Sequence, residues 1–245
     1  MGKILTAHQP VYLPWLGLFH KIALSDKFCF FDDVQYQPKD WNNRNKVKYS
    51  NGNSNWLTVP VKRSGYQEKS FLDIEINNDI AWKRKHWRSI ELNYSKAKYF
   101  DTFKNEIKEF YDKEWKYLVD LNYEMLLFFL SKLRLTVSVI RMSNYSFKGN
   151  KSDLVLDMCI QVGADTYIFG ALGKDYAVKE DFMNKRVALY FQNYNHPEYR
   201  QLHGPFVSNL SIIDLLLNCG PDSLNILMKG NITKGELIEL QNNGH

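Results

Sequence analysis

Two apolar runs near the start of the chain stand a fixed distance apart, and that spacing limits the possible folds more than any other feature. ILTA, Ile4 to Ala7, reads as a short buried strand, and KFCFFD, Lys27 to Asp32, as a second. Nineteen residues separate Ala7 from Lys27. Within them Trp15 to Leu24 predict a helix with Pro14 in its first turn, where a missing amide hydrogen is harmless. Strand, helix and strand over this length form a crossover, and crossovers join parallel strands. A second such unit follows. TVSVIRM, Thr136 to Met142, is strand-like, KSDLVLDMCIQVG predicts a helix capped by Ser152 or Asp153 and ended at Gly163, and DTYIF leads into Gly170.

The expected class is α/β, a parallel-sheet core built from strand-helix-strand units. NWLTVPV (Asn55 to Val61) and FLDIEI (Phe71 to Ile76) predict a small antiparallel insert. The period then turns helical, predicting a helical insertion at about 81–133 with helices over 82–94, 99–112 and 117–133. VALYFQNY adds a strand, and LSIIDLLLNCGPDSL a helix stopped near Gly220 and Pro221. The whole span 1–245 is expected to form a single α/β domain.

Composition narrows the function classes. Charged residues at 24% and hydrophobic residues at 44% exclude a disordered chain. Aromatics at 15% exceed what a core usually uses, so some are expected to face a ligand. A net charge of +5 permits phosphate-bearing partners without demanding nucleic acid, which is not the expected partner. The cations concentrate in WKRKHWRSIELNYSKAK, Trp82 to Lys98, which holds six Lys or Arg and one Glu and reads first as a solvated helix face. Cys29, Cys159 and Cys219 are unpaired in spacing and sit in apolar stretches, as free thiols of a reducing cytoplasm do. No apolar run approaches the roughly 18 to 20 residues of a membrane span. Nor does the Pro-interrupted start resemble a secretory leader. A cytoplasmic location is the expectation.

The residues suited to chemistry gather where strands end. His8 and Gln9 follow the first strand, and Asp32 and Asp33 close the second; in open parallel sheets that edge receives ligands. HQPVYLPWLG holds its polar pair on a loop stiffened by Pro10 and Pro14, with Tyr12 and Trp15 between and after them. His8 is the candidate general base, with Asp32 or Asp33 expected to orient it; His20, on the following helix, is expected to pack. VQYQPKDWNNRNKVK supplies Gln35, Trp41, Asn43, Arg44 and Lys48, read as a loop: Arg44 and Lys48 for phosphate, asparagine for hydroxyls or base edges, and Trp41, Trp56 or Tyr12 for stacking on a sugar or base. NYNHPEYRQLHGPF repeats the idiom with His196, Tyr199 and Gln201 as further candidates. Gly170 opens a glycine-containing turn that lacks Walker or dinucleotide spacing. No metal-ligand set appears in the spacing, and no cofactor is indicated.

These segments together, HQPVYLPWLG, DDVQY, WNNRNKVK, WLTVPV, TYIFGALGKDY and NHPEYRQLHGPFVSNLSIIDLLLNCG, resemble the WbqC-like protein family from about His8 to about Gly220. The resemblance implies an enzyme encoded near bacterial genes for cell-surface polysaccharide and modified-sugar biosynthesis, of the O-antigen kind, and hence a biosynthetic transferase. One departure is Phe169 before Gly170, where the resemblance leads to a serine. The expected function is a transferase modifying a nucleotide-linked (amino) sugar by acyl-type transfer from an unidentified group donor. A metal-dependent nucleotidyl or phosphoryl transferase, with the aspartates on magnesium, is one rival. A glycan- or RNA-binding module using the basic 82–98 face is the other.

Overall fold

The computed structural model describes residues 3–243. In chain order its strands are β1 (Ile4–His8), β2 (Lys27–Phe30), β3 (Arg44–Lys48), β4 (Ser54–Thr58), β5 (Ser138–Arg141), β6 (Thr166–Phe169) and β7 (Ala188–Phe191). Helix α1 (Leu16–Ala23) joins β1 to β2. The insertion holds α2 (Trp82–Tyr94), α3 (Phe100–Asp112) and α4 (Leu118–Lys132). Then come α5 (Lys151–Val162), α6 (Lys179–Asn184), α7 (Ile212–Cys219), α8 (Ser223–Met228) and α9 (Lys234–Asn243).

The fold is α/β, as the two crossovers require. Five strands pair in the order β5-β2-β1-β6-β7, parallel throughout, while β3 and β4 form a separate antiparallel pair. The chain winds outward from β1 through β2 to β5, then returns to the other flank of β1 with β6 and β7. Its direction of travel reverses between β1 and β6, and a crevice opens beyond the carboxyl ends of strands at such a reversal. His8 ends β1 at that place.

Helices cover both faces, which is why the strands are apolar on both sides. Leu5, Cys29, Tyr167 and Phe169 pack with Val155, Met158 and Cys159 of α5 and Phe182 of α6. Phe28 and Phe30 face the larger core, with Phe19 and Ile22 of α1, Phe129 of α4 and Leu216 of α7. In α3 the buried residues Phe100, Phe103, Ile107 and Tyr111 recur at helical spacing, one stripe turned to the core. Among the described residues no helix is long and apolar enough to cross a membrane.

Three local expectations fail. FLDIEI is no strand: Ser70 caps a single tight turn at Phe71–Asp73, and only isolated bridges, Val61 to Ile76 and Glu75 to Tyr117, follow. Its buried residues are Phe71, Ile74 and Ile76, so the spacing from Phe71 to Ile74 already breaks a period of two. Neither Ser152 nor Asp153 caps α5; the Ser152 hydroxyl instead accepts the Val178 amide at 2.9 Å, whereas Gly163 ends the helix at φ 66° as expected. The stretch read as a loop through Arg44 and Lys48 is strand β3.

Phe169 is a core residue. It is 2% exposed and stacks on Phe191 at 5.4 Å, with Tyr167, Tyr176 and Phe182 around it. Gly173 lies so close over it that an added Cβ would stand 2.4 Å from the Phe169 Cβ. Gly173→Ala is therefore expected to cost about 1–3 kcal/mol through overpacking. The loss should shrink in a Phe169→Gly background, which removes that Cβ, and a double-mutant cycle of urea midpoints will read it.

Candidate functional site

The loop after β1 is fastened from outside by the segment that leads into β3. Asn42 donates its side-chain amide to the Pro10 carbonyl at 2.8 Å and Asn45 to the Leu13 carbonyl at 2.5 Å, while the Tyr12 amide reaches the Trp41 carbonyl at 3.2 Å. Leu13 is buried at φ 47°, a conformation a branched side chain adopts only when its surroundings enforce it. Asn43, expected at the ligand, donates inward to the Val59 carbonyl at 2.8 Å.

His8 is half-buried, and its Nδ1 lies 2.8 Å from the Gln9 carbonyl. A carbonyl can only accept, so the proton sits on Nδ1 and Nε2 presents a lone pair. Nε2 makes no hydrogen bond among the described residues. Burial, then the nearby Lys21 ammonium, pushes the imidazole's pKa down to about 3, against a partial upward pull from the Gln9 hydrogen bond. Lys21 is itself buried, donates to the Ala7 carbonyl at 2.9 Å, and is lowered to about 8 by burial. Sequence reasoning missed Lys21; its signal is a lysine in a helix apolar on nearly every side. The Gln9 side chain is half-buried beside His8 without a hydrogen bond among the described residues.

A run of aromatic rings starts at the imidazole. Trp15 meets His8 edge-on at 5.2 Å, Trp41 follows at 5.7 Å and Trp56 at 5.2 Å. Register on the hairpin sets Lys46 directly opposite Trp56, with Arg44 two residues away on the same face. The Arg44 guanidinium lies 4.3 Å and the Lys46 ammonium 5.0 Å from the Trp56 ring centre. A neutral imidazole, three indoles and two cations thus stand in one unbroken chain of contacts. It suits a ligand with flat and anionic parts.

The acidic doublet serves other groups, which corrects the expectation that it orients His8. Asp32 is fully buried, accepts Arg141 Nε at 2.6 Å, and takes the Ser143 amide and hydroxyl, each at 2.9 Å. Asp33 is exposed and accepts the Ser70 hydroxyl at 2.9 Å. Both Asp32 oxygens are thus engaged by protein donors, Oδ2 by two and Oδ1 by one. Among the described residues no group of three or more His, Cys, Asp or Glu is placed to hold a metal. Arg141 was missed, although it ends a strand as His8 does.

Other candidates lie inside. Tyr12 is fully buried, its hydroxyl 2.8 Å from His86 Nδ1 and 2.9 Å from the Tyr111 hydroxyl, so it stacks on no ligand. Lys48 is buried and donates to Gln201 Oε1 at 3.1 Å and the Pro205 carbonyl at 2.5 Å; it is not offered to phosphate. Gln201 is spent on Lys48 and on both backbone groups of Val207. Tyr199 turns its buried hydroxyl towards Asp214, whose carboxyl burial raises. His196 shares an aromatic nest with Tyr194, Tyr199 and Phe206, donates from Nδ1 to the Pro197 carbonyl at 3.0 Å, and touches no part of His8. Gln35 is exposed on the loop after β2, opposite Ser70. Gly170 leaves β6 beside His8, with open space where a Cβ would stand and a φ of −70° that does not require glycine. His20 packs as expected: Nε2 donates to the Ile232 carbonyl at 3.1 Å and Nδ1 accepts Gln192 Nε2 at 2.8 Å.

A cleft of about 800 Å³ lies along β7, lined by Ile4, Thr166, Met183, Ala188 and Gln241. Most of that lining stands towards the opposite ends of the strands from His8, and it gathers none of the groups above.

Residues 9–226 match the WbqC-like protein family. The chain is also 31% identical over 221 residues to a protein of Mycobacterium tuberculosis (strain ATCC 25618 / H37Rv) named only "Uncharacterized protein Rv1507c", covering 89% of this chain and 95% of that one. No solved structure matches significantly.

The depressed imidazole has a measurable consequence. Nitrogen-detected NMR of the histidine rings is expected to find His8 neutral, protonated at Nδ1, from pH 8 to pH 5. Because the folded value of about 3 lies below the unfolded 6.5, the group's contribution to stability is complete above pH 6.5. It is lost as pH falls from there through about 3. Lys21→Met should raise the His8 value by removing a like charge.

Proposed function

The chain belongs to the WbqC-like protein family, and on that premise we propose that it is a transferase of bacterial cell-surface polysaccharide biosynthesis, moving an acyl-type group onto the amine of a nucleotide-linked sugar. The observation that carries this reading is the free Nε2 of a neutral His8 at the strand-order reversal, next to a row of indoles that ends in two cations. The row gives a base and sugar flat surfaces of stacking size. Arg44 and Lys46 neutralise the diphosphate.

The low basicity of His8 favours an amine acceptor over a hydroxyl. A sugar hydroxyl needs a base with a pKa near the working pH to take its proton as it attacks, whereas a neutral amine attacks unaided. As the nitrogen lone pair forms its bond to the acyl carbon, the nitrogen gains positive charge and its proton becomes acidic. His8 Nε2 accepts that proton, the bond to the leaving group breaks, and the leaving group departs with the electron pair. Proton loss restores the amide nitrogen's neutrality.

The test is turnover of purified protein with a panel of nucleotide amino sugars and activated acyl donors, read by mass spectrometry. His8→Ala is expected to lower kcat about 10²–10⁴-fold, the usual range for a lost proton acceptor. Trp41→Ala should act chiefly on KM for the nucleotide sugar. Undiminished turnover in the histidine variant sinks the role given to His8.

A further inference from the structure

We propose that Arg141 is an anion-binding residue and that it holds a carboxylate or phosphate group of the second substrate, the group donor. The inference deepens the function proposed above and rests on it for the word donor; the anion site itself rests on geometry alone.

His8, Phe30 and Arg141 stand in one row across three strands, since His8 pairs in register with Phe30 and Phe30 with Arg141. Side chains in register on parallel neighbours project from the same face. Strands lie about 4.8 Å apart, so the backbones of His8 and Arg141 are separated by about 10 Å. Phe30, 2% exposed, belongs to the larger core and fills the space between them. Tyr123 of α4 packs on both: its ring is 5.1 Å from Phe30 and 5.1 Å from the Arg141 guanidinium carbon. A donor held by its acid at Arg141 would pass outside the strand ends rather than over Phe30 to bring its reacting carbon towards Nε2.

The hydrogen bonding of Arg141 is what separates this from a structural ion pair. A guanidinium kept only to neutralise a carboxylate tends to meet it as a fork, two N–H groups to two oxygens. Arg141 gives Asp32 its Nε alone, at 2.6 Å, and Ser143 supplies the two other donors to the carboxylate, its amide and its hydroxyl. The two terminal nitrogens make no hydrogen bond among the described residues. The side chain is 25% exposed, against 0% for Asp32. Asp32 therefore works as a bracket, fixing the guanidinium plane while its outer edge stays free for a planar anion.

The experiment is an NMR titration with malonate and, separately, inorganic phosphate. Shifts are followed at the Arg141 Nε–H, the Ser143 amide and the Tyr123 ring. Saturable shifts at all three are expected at low ionic strength, where screening is weak. Arg141→Lys, which keeps a cation for Asp32 but loses the fork, should weaken binding by about tenfold or more, read at Ser143 and Tyr123. The paired change Asp32→Asn with Arg141→Gln strands no buried charge, so it serves where a single variant fails to fold; it should abolish the shifts. Arg88→Gln, which removes one exposed cation from α2, controls for net charge and should leave them unaltered. Tighter binding of malonate assigns a carboxylate, and tighter binding of phosphate a phosphoryl group. Absence of saturation up to about 5 mM at low ionic strength, or wild-type affinity in the Arg141 variants, overturns the proposal. No turnover is read, so failure here leaves the His8 assay standing, and an inactive panel leaves this titration standing.

Discussion

Leu13 sits at φ 47° in the interior, and the site depends on the bonds that keep it there. A left-handed branched residue costs on the order of 1–3 kcal/mol, and two asparagines, Asn42 and Asn45, hold the loop by its carbonyls. The same junction gathers the rest of the molecule. The Ile212 amide of α7 donates to the Pro14 carbonyl at 2.8 Å, and Asn122 of α4 donates to the Asn42 carbonyl at 2.8 Å. Sheet, hairpin, helical insertion and C-terminal helix thus meet at one irregular turn. Trp15, the last residue of that turn, links the imidazole on the sheet to the indoles beyond it. Without the latch there is no reason for Trp15 to stand between them.

The frame was legible because it follows from local pattern. Apolar runs, a proline-started helix and a nineteen-residue gap dictate parallel neighbours, and a histidine one step past such a strand must lie at its carboxyl edge. Helix α3 was legible for the same reason, its buried stripe being written at helical spacing. The side-chain roles were less so. WNNRNKVK contains ligand-like and scaffold-like residues of identical type, and a period of two does not separate them, since Lys46 and Lys48 share one face of β3. Arg44 and Lys46 then stand over Trp56, while Lys48, on the same strand, is covered by the segment that carries Gln201 and Pro205.

Lys48 also shows what such burial demands. Its backbone amide donates to the Tyr94 hydroxyl, which in turn donates to Asp214, each at 2.8 Å. Ammonium, Tyr94 hydroxyl, amide and carboxyl lie close together, with Lys48 and Asp214 buried, and a cation placed there depends on the partners it has. This accounts for four residues that look catalytic by type, Lys48, Tyr199, Gln201 and Asp214. They join the C-terminal helix to the hairpin. Residue type alone does not distinguish that work from catalysis; only the identity of the covering segment does.

Charge around His8 runs in one direction. A carboxylate on the imidazole would raise its affinity for a proton and make it an imidazolium near neutral pH. The two acids close enough in sequence to do so are engaged elsewhere, Asp32 with Arg141 and Ser143, Asp33 with Ser70. What remains unbalanced nearby is cationic: Lys21 beside the ring, and Arg44 and Lys46 at the end of the indoles, whereas Arg141 and Asp32 offset each other. Such a surface repels a protonated amine and attracts phosphate and carboxylate. On the proposed reading, an amino sugar held there by its diphosphate would have its ammonium form disfavoured by the same charges, and the electrostatics that would recruit such an acceptor would also favour the neutral nucleophile that acyl transfer requires.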